Sequence, residues 1–307
     1  MSLRGRPVHD GDRARVIAPS GPVPVERFDR GVRALRRRID LELLHADNLL
    51  EQEGYFAGSD AQRLAATQLA LADPEASCVL CARGGYGATR LLAALDPERL
   101  RAHPKPIVGF SDITALLCWA WMRCGVVGLH GPVLTQMSTL VPEDLDRVVD
   151  WLRGEVPAPL VAEEGSVLHG GTVEGTLLAG NIEVLRALVG TRMMPSFAGA
   201  ILALEEIGER PYRIDRSLTH LLSSGALRGI RGVVVGQLIG CEEPPDGNFG
   251  PTAAQVVHER LATLGVPVVT GFPFGHDHQR NAALPFGARA RLSADHCTLE
   301  FLEPITT

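Results

Sequence analysis

Aromatic side chains are scarce. They make up 5% of the 307 residues, so a core must be built from Leu, Val, Ile and Ala rather than from rings. Long apolar runs are missing too. None reaches the roughly 18 residues of a membrane span. The stretch from Met1 to Ser20 lacks the apolar segment of a secretory leader. A cytoplasmic protein with no membrane partner is therefore expected. Extended basic runs are absent as well. The densest basic patch, Arg33, Arg36, Arg37 and Arg38, falls on a helical stretch and reads as a solvated face. With a formal charge of -6, nucleic acid is a poor partner. Cysteines are few. Cys78 and Cys81 form a C-x-x-C, but inside an apolar run that reads as a buried strand. Cys118, Cys124, Cys241 and Cys297 supply no second close pair. A zinc set would need one, so reduced core thiols are expected, with neither metal nor cofactor.

Apolar residues reach 45% and charged residues 21%, near globular averages, which argues for a folded core. The length suits one large or two ordinary domains. In the first half, strand and helix patterns alternate. Strands are expected at 15–18, 76–82, 106–110 and 126–129. Helices are expected at 25–39, from a Ser59–Gln62 capping box through Leu71, and at 88–95 and 112–124. Such alternation implies a parallel sheet with helices on both faces. The pattern loosens near 141–165, where Pro142, Pro157 and Pro159 mark a connection that could hold one helix at 144–152. Beyond it, strands are expected at 170–178, 200–204, 232–239 and 266–270, and helices at 181–189, 214–222 and 252–264. Residues 283–292 and 297–302 read as paired strands. The expectation is an α/β protein: an N-terminal parallel-sheet domain over 1–140, a connection over 141–165, and a C-terminal mixed α/β domain over 166–307.

Functional residues of parallel sheets collect at the carboxyl ends of strands. One such end reads Gly109-Phe110-Ser111-Asp112, with a helix following at once. A sharp strand-to-helix turn would lift the Ser111 hydroxyl above the sheet. The open helix start would offer N–H groups to a developing oxyanion. The usual glycine two residues later is replaced by Ile113, so Ser111 could equally be a helix N-cap. A second strand end carries Arg83-Gly84-Gly85-Tyr86-Gly87. A dinucleotide loop would need a third glycine where Arg90 stands. The alternatives are a tight turn, or a backbone oxyanion donor beside Ser111.

A serine nucleophile needs a base and an orienting acid. His276 and His278 follow a strand and the turn Gly271-Phe272-Pro273-Phe274-Gly275. A His-x-His pair can also bind metal, but no further ligands cluster with it in sequence. Glu205 and Glu206 end the apolar run Ile201-Leu202-Ala203-Leu204. Strand alternation sends them to opposite faces, with Glu205 on the side of Ile201 and Ala203.

Together these segments resemble the LD-carboxypeptidase family of serine peptidases, also called muramoyltetrapeptide carboxypeptidases. The resemblance rests on Val16 to Ser20, Arg83 to Gly87, Gly109 to Thr114, Gly180-Asn181, Leu204-Glu205-Glu206, Tyr212 to Arg216 and Gly271 to Pro285, in that order. It implies Ser111 as nucleophile, His276 as base, Glu205 as acid, and the backbone N–H groups of Gly85 and Asp112 as oxyanion donors. It also implies a site between two domains, a homodimer, and a small peptide substrate: release of terminal D-alanine from murein tetrapeptides during peptidoglycan recycling. A carboxypeptidase must hold a free carboxylate, which arginine does well. Arg83, Arg213 and Arg216 are the candidates. The family also includes self-immunity hydrolases acting on peptidyl-nucleotide antibiotics of the microcin C type. That activity, or a non-enzymatic binding cleft, is the alternative.

Overall fold

The computed structural model describes residues 2–163, 165–243 and 250–307. The first sheet contains β1 (Arg13–Ile17), β2 (Glu42–His45), β3 (Ala76–Cys81), β4 (Ile107–Gly109) and β5 (Gly128–His130). The second contains β6 (Leu160–Val161), β7 (Val167–His169), β8 (Thr172–Asn181), β9 (Ala200–Ile207), β10 (Gly232–Ile239) and β11 (Val268–Val269). The chain then enters β12 (Leu284–Phe286), β13 (Arg289–Ser293) and β14 (Thr298–Phe301). Among the described residues eight α-helices accompany them: α1 (Val25–Arg36), α2 (Asp60–Ala72), α3 (Pro97–Ala102), α4 (Thr114–Trp119), α5 (Pro142–Arg153), α6 (Ile182–Leu188), α7 (Pro211–Ser223) and α8 (Ala253–Ala262).

The first sheet runs β12-β5-β4-β3-β1-β2 and is parallel except for β12. β3 is buried along its whole length, as expected of a strand covered on both faces. The second sheet runs β6-β14-β13-β8-β9-β10-β11-β7. Its parallel centre, β8 to β11, is flanked by antiparallel strands. This is the two-sheet α/β fold that the alternating pattern implies. The sheets meet where α4 packs behind β8. A Cβ on Gly180 would stand 2.5 Å from the Thr114 methyl, and Asn181 N–H donates to Thr114 Oγ1.

Two local expectations are corrected, and one strand was not expected. Residues 88–95 form a single 3-10 turn, Ala88–Arg90, and no helix. The Ala88 N–H is taken by the Asp112 carboxylate, and Pro97 restricts the backbone before it. β2 had no sequence signal. The stretch 283–292 is not one strand. Leu284–Phe286 returns to the first sheet, pairing Leu284 with His130, while Arg289–Ser293 pairs with β14 in the second. The chain therefore crosses between sheets late, and the segment preceding β12 carries His276 over the carboxyl end of the first sheet.

All six cysteines are free thiols, and five are buried. Burial pushes the Cys78 thiol up to about 12, which keeps it protonated and unreactive at neutral pH. Among the described residues, no helix is long and apolar enough to cross a membrane.

Candidate active site

Ser111 sits where β4 turns into the helical run that leads through α4. Phe110 is still extended, whereas Ser111 has φ 62. A side-chain-bearing residue in the left-handed region costs about 1 kcal/mol or more, and such strain is characteristic of a nucleophile elbow. Glycines make the turn possible. A Cβ on Gly84 would lie 2.9 Å from Ser111 Cβ and 3.0 Å from its Oγ, and one on Gly109 would lie 2.8 Å from Ile113 Cγ2.

Asp112 is 3% exposed and braces the loops around Ser111. Its Oδ2 accepts from Ser20 Oγ at 2.6 Å and from Ala88 N at 2.8 Å. Burial raises its carboxyl above the ordinary range, against the pull of these donors and of Arg63. Arg63, fully buried, donates to Pro19 O and Gly87 O and so ties the same two loops. Gly21 N donates to Gly84 O at 3.0 Å. The loop thus held presents Gly85 at φ 113. Its N–H donates to no protein acceptor among the described residues. The Asp112 N–H lies in the first helical turn, where N–H groups lack intrahelical partners.

His276 Nδ1 lies 2.5 Å from Glu205 Oε2. Glu205 is fully buried, while the His276 side chain is 12% exposed. Phe110 packs on the imidazole with centroids 4.6 Å apart. Gly275, at φ 133, permits the approach, since a Cβ there would meet Glu205 Cβ at 3.3 Å. Gln237 Oε1 accepts from Asp277 N and Gln136 Nε2 donates to Asp277 O, fixing the His276 loop to both halves of the molecule. Glu206 faces the other way. It accepts from Asn181 Nδ2 at 2.6 Å, Glu183 N at 2.9 Å and Ile207 N at 2.9 Å. Burial nevertheless pushes its carboxyl up to about 7.

One open cleft of about 570 Å³ is lined by Arg83, Gly84, Gly85, Ser111 and His276, with Glu205 directly behind the histidine. No direct hydrogen bond joins Ser111 to His276 among the described residues; such contacts are often long in unliganded enzymes. Arg213 and Arg216 do not line this cleft. Arg213 lies 3.3 Å from Glu209, and Arg216 stacks over the Tyr212 ring. Arg83 does line it, while donating to Pro22 O.

Two groups escaped the sequence reading. Arg27 and Arg30, on α1, line the cleft beside Arg83. His130 ends β5 opposite Gly109. It is fully buried, and neither ring nitrogen has a protein partner among the described residues; Glu205 Oε1 likewise has none. Burial holds the imidazole down to about 4, so it is neutral at physiological pH. Its place at a strand's carboxyl end was the available signal.

Sequence models of the LD-carboxypeptidase N-terminal domain and C-terminal domain match residues 14–131 and 174–292. A murein tetrapeptide carboxypeptidase of Pseudomonas aeruginosa is 33% identical over 92% of this chain and 94% of its own. The crystal structure of a muramoyltetrapeptide carboxypeptidase from Oxalobacter formigenes superposes with a TM-score of 0.82 at 30% identity, covering 95% of this chain and 99% of that one. The microcin C7 self-immunity protein superposes with a TM-score of 0.88 at 22% identity, covering 99% and 100%, a likeness of fold.

Proposed function

The chain belongs to the LD-carboxypeptidase family and is a serine-type carboxypeptidase, and from that premise we propose that it releases terminal D-alanine from murein tetrapeptides through Ser111, His276 and Glu205. The observation that carries this reading is the strained Ser111 on its elbow, facing the same cleft as a histidine held by a buried carboxylate.

Ser111 Oγ attacks the carbonyl carbon of the penultimate residue as its proton passes to His276 Nε2. The oxyanion accepts hydrogen bonds from the Gly85 and Asp112 N–H groups. Collapse of the tetrahedral intermediate breaks the C–N bond, and His276 gives its proton to the departing D-alanine amine. Water then attacks the acyl-serine, passing a proton to Nε2. That proton returns to Ser111 Oγ as the ester bond breaks, leaving a tripeptide. Glu205 holds Nδ1–H and stabilises the imidazolium formed in each step. The same reading makes the enzyme a cytoplasmic homodimer serving peptidoglycan recycling.

The test is incubation with murein tetrapeptide and, separately, with a peptidyl-nucleotide. D-alanine released from the tetrapeptide is the expected result. Turnover of the peptidyl-nucleotide alone would transfer the protein to the self-immunity branch.

A further inference from the structure

The chain carries a net charge of -6, yet its Ser111 cleft is electropositive. Among the described residues no Asp or Glu lines it. Three arginines do: Arg27 and Arg30 from α1, and Arg83 from the glycine loop. Arg27 and Arg30 lie three residues apart and share a helix face. Gly31 sets where that face lies. A Cβ on Gly31 would stand 1.7 Å from the Leu134 carbonyl oxygen, so α1 is pressed onto the stretch that contributes Val133, Thr135, Ser138 and Thr139 to the cleft.

These two arginines have little else to do. Both are exposed. Arg30 lies 3.8 Å from Glu26, whose side chain is 92% exposed, a contact that water and salt weaken. Among the described residues no carboxylate pairs with Arg27. Guanidinium groups present planar forks of donors that match a carboxylate. Two of them on one wall, beside hydroxyl groups and with only the exposed Glu26 near one of them among the described residues, suit a carboxylate.

We propose that Arg27 and Arg30 bind the free terminal carboxylate of the peptide and so make the enzyme act on chain ends. The inference rests on the reaction proposed above. It moves the role of carboxylate receptor from the candidates Arg83, Arg213 and Arg216 to α1; Arg83 also lines the cleft but donates to Pro22 O.

The experiment compares a tetrapeptide bearing a free terminal carboxylate with its C-terminal amide. Kinetics are measured for the wild type and for Arg27→Gln, Arg30→Gln, the double variant, and Arg33→Gln as a control exposed on the same helix. The wild type should prefer the acid. Each cleft variant should raise KM for the acid about 10- to 100-fold, the scale of a charge-assisted hydrogen bond, while kcat and the rate on the amide change little. Arg27→Lys should recover part of the loss, and Arg33→Gln should behave as wild type. If the wild type cleaves neither substrate, the proposed reaction fails. If it prefers the acid and the double variant keeps that preference, the reaction stands and this receptor is wrong.

Discussion

Glu205 and Glu206 are neighbours in sequence and both buried, yet β9 turns them to opposite faces. One meets His276. The other accepts two hydrogen bonds at the start of α6, from Asn181 and Glu183, and a third from the N–H of Ile207 at the end of β9. Glu205→Gln should lower kcat by about 10⁴-fold, the scale seen when a triad acid becomes an amide, with circular dichroism unchanged. Glu206→Gln should leave kcat within a few-fold of wild type. The reverse ranking in steady-state kinetics would move the acid by one residue. The strand-end rule made Ser111, the Glu205–Glu206 pair and the His276–His278 pair legible as candidates, and the resemblance to the LD-carboxypeptidases singled out Ser111, Glu205 and His276 among them. Arg27 and Arg30 were not legible, because only the packing of α1 on residues 133–139 brings them to the cleft. Arg213 and Arg216 were misleading for the converse reason: they follow the acid closely in sequence but do not line the cleft.

At the scale of elements, two glycine contacts have different consequences. Gly84 touches Ser111, the proposed nucleophile, and Gly31 touches a backbone carbonyl. Gly84→Ala should displace the Ser111 side chain and lower kcat at least about 10-fold, with a small change in Tm, since misplacement by about 1 Å costs on the order of 100-fold. Gly31→Ala cannot be absorbed by a side-chain shift, because its neighbour is Leu134 O at 1.7 Å. It should destabilise by about 1–3 kcal/mol or more, as overpacking does, read as a lower urea midpoint. Equal loss of stability in the two variants would contradict this division. The amphipathic α1 and the largely apolar run of β3 were readable from their patterns. β2 was not, since Glu42-Leu43-Leu44-His45 shows neither alternation nor β-branched residues and tertiary pairing with β1 decides it. The splitting of 283–292 was hidden because the apolar Leu284-Pro285-Phe286 and the alternating Arg289-Ala290-Arg291-Leu292 are each compatible with a strand; only topology assigns Leu284–Phe286 to the first sheet.

Across the whole molecule, buried titratable groups behind the cleft give stability a pH signature. His130 is held neutral, its folded value near 4 against 6.5 unfolded. Its contribution is complete above pH 6.5 and is lost as pH falls toward 4. Glu206 acts oppositely: its folded value near 7 lies above 4.5, so its contribution is complete below pH 4.5 and is lost as pH rises through 7. The two offset each other between about pH 4.5 and 6.5. The readout is therefore a difference. His130→Gln should gain stability relative to wild type by about 2–3 kcal/mol as pH falls from 6.5 to 4.5, measured by urea denaturation, whereas parallel curves would show that His130 does not titrate this way. The claim to which all these parts are subordinate is that Ser111 forms the acyl-enzyme. Its most direct test is the rate of D-alanine release from murein tetrapeptide by folded Ser111→Ala protein. Loss of a triad nucleophile predicts a fall of about 10⁴- to 10⁶-fold; a folded variant keeping more than roughly a tenth of the wild-type rate, far above that range, would contradict the account.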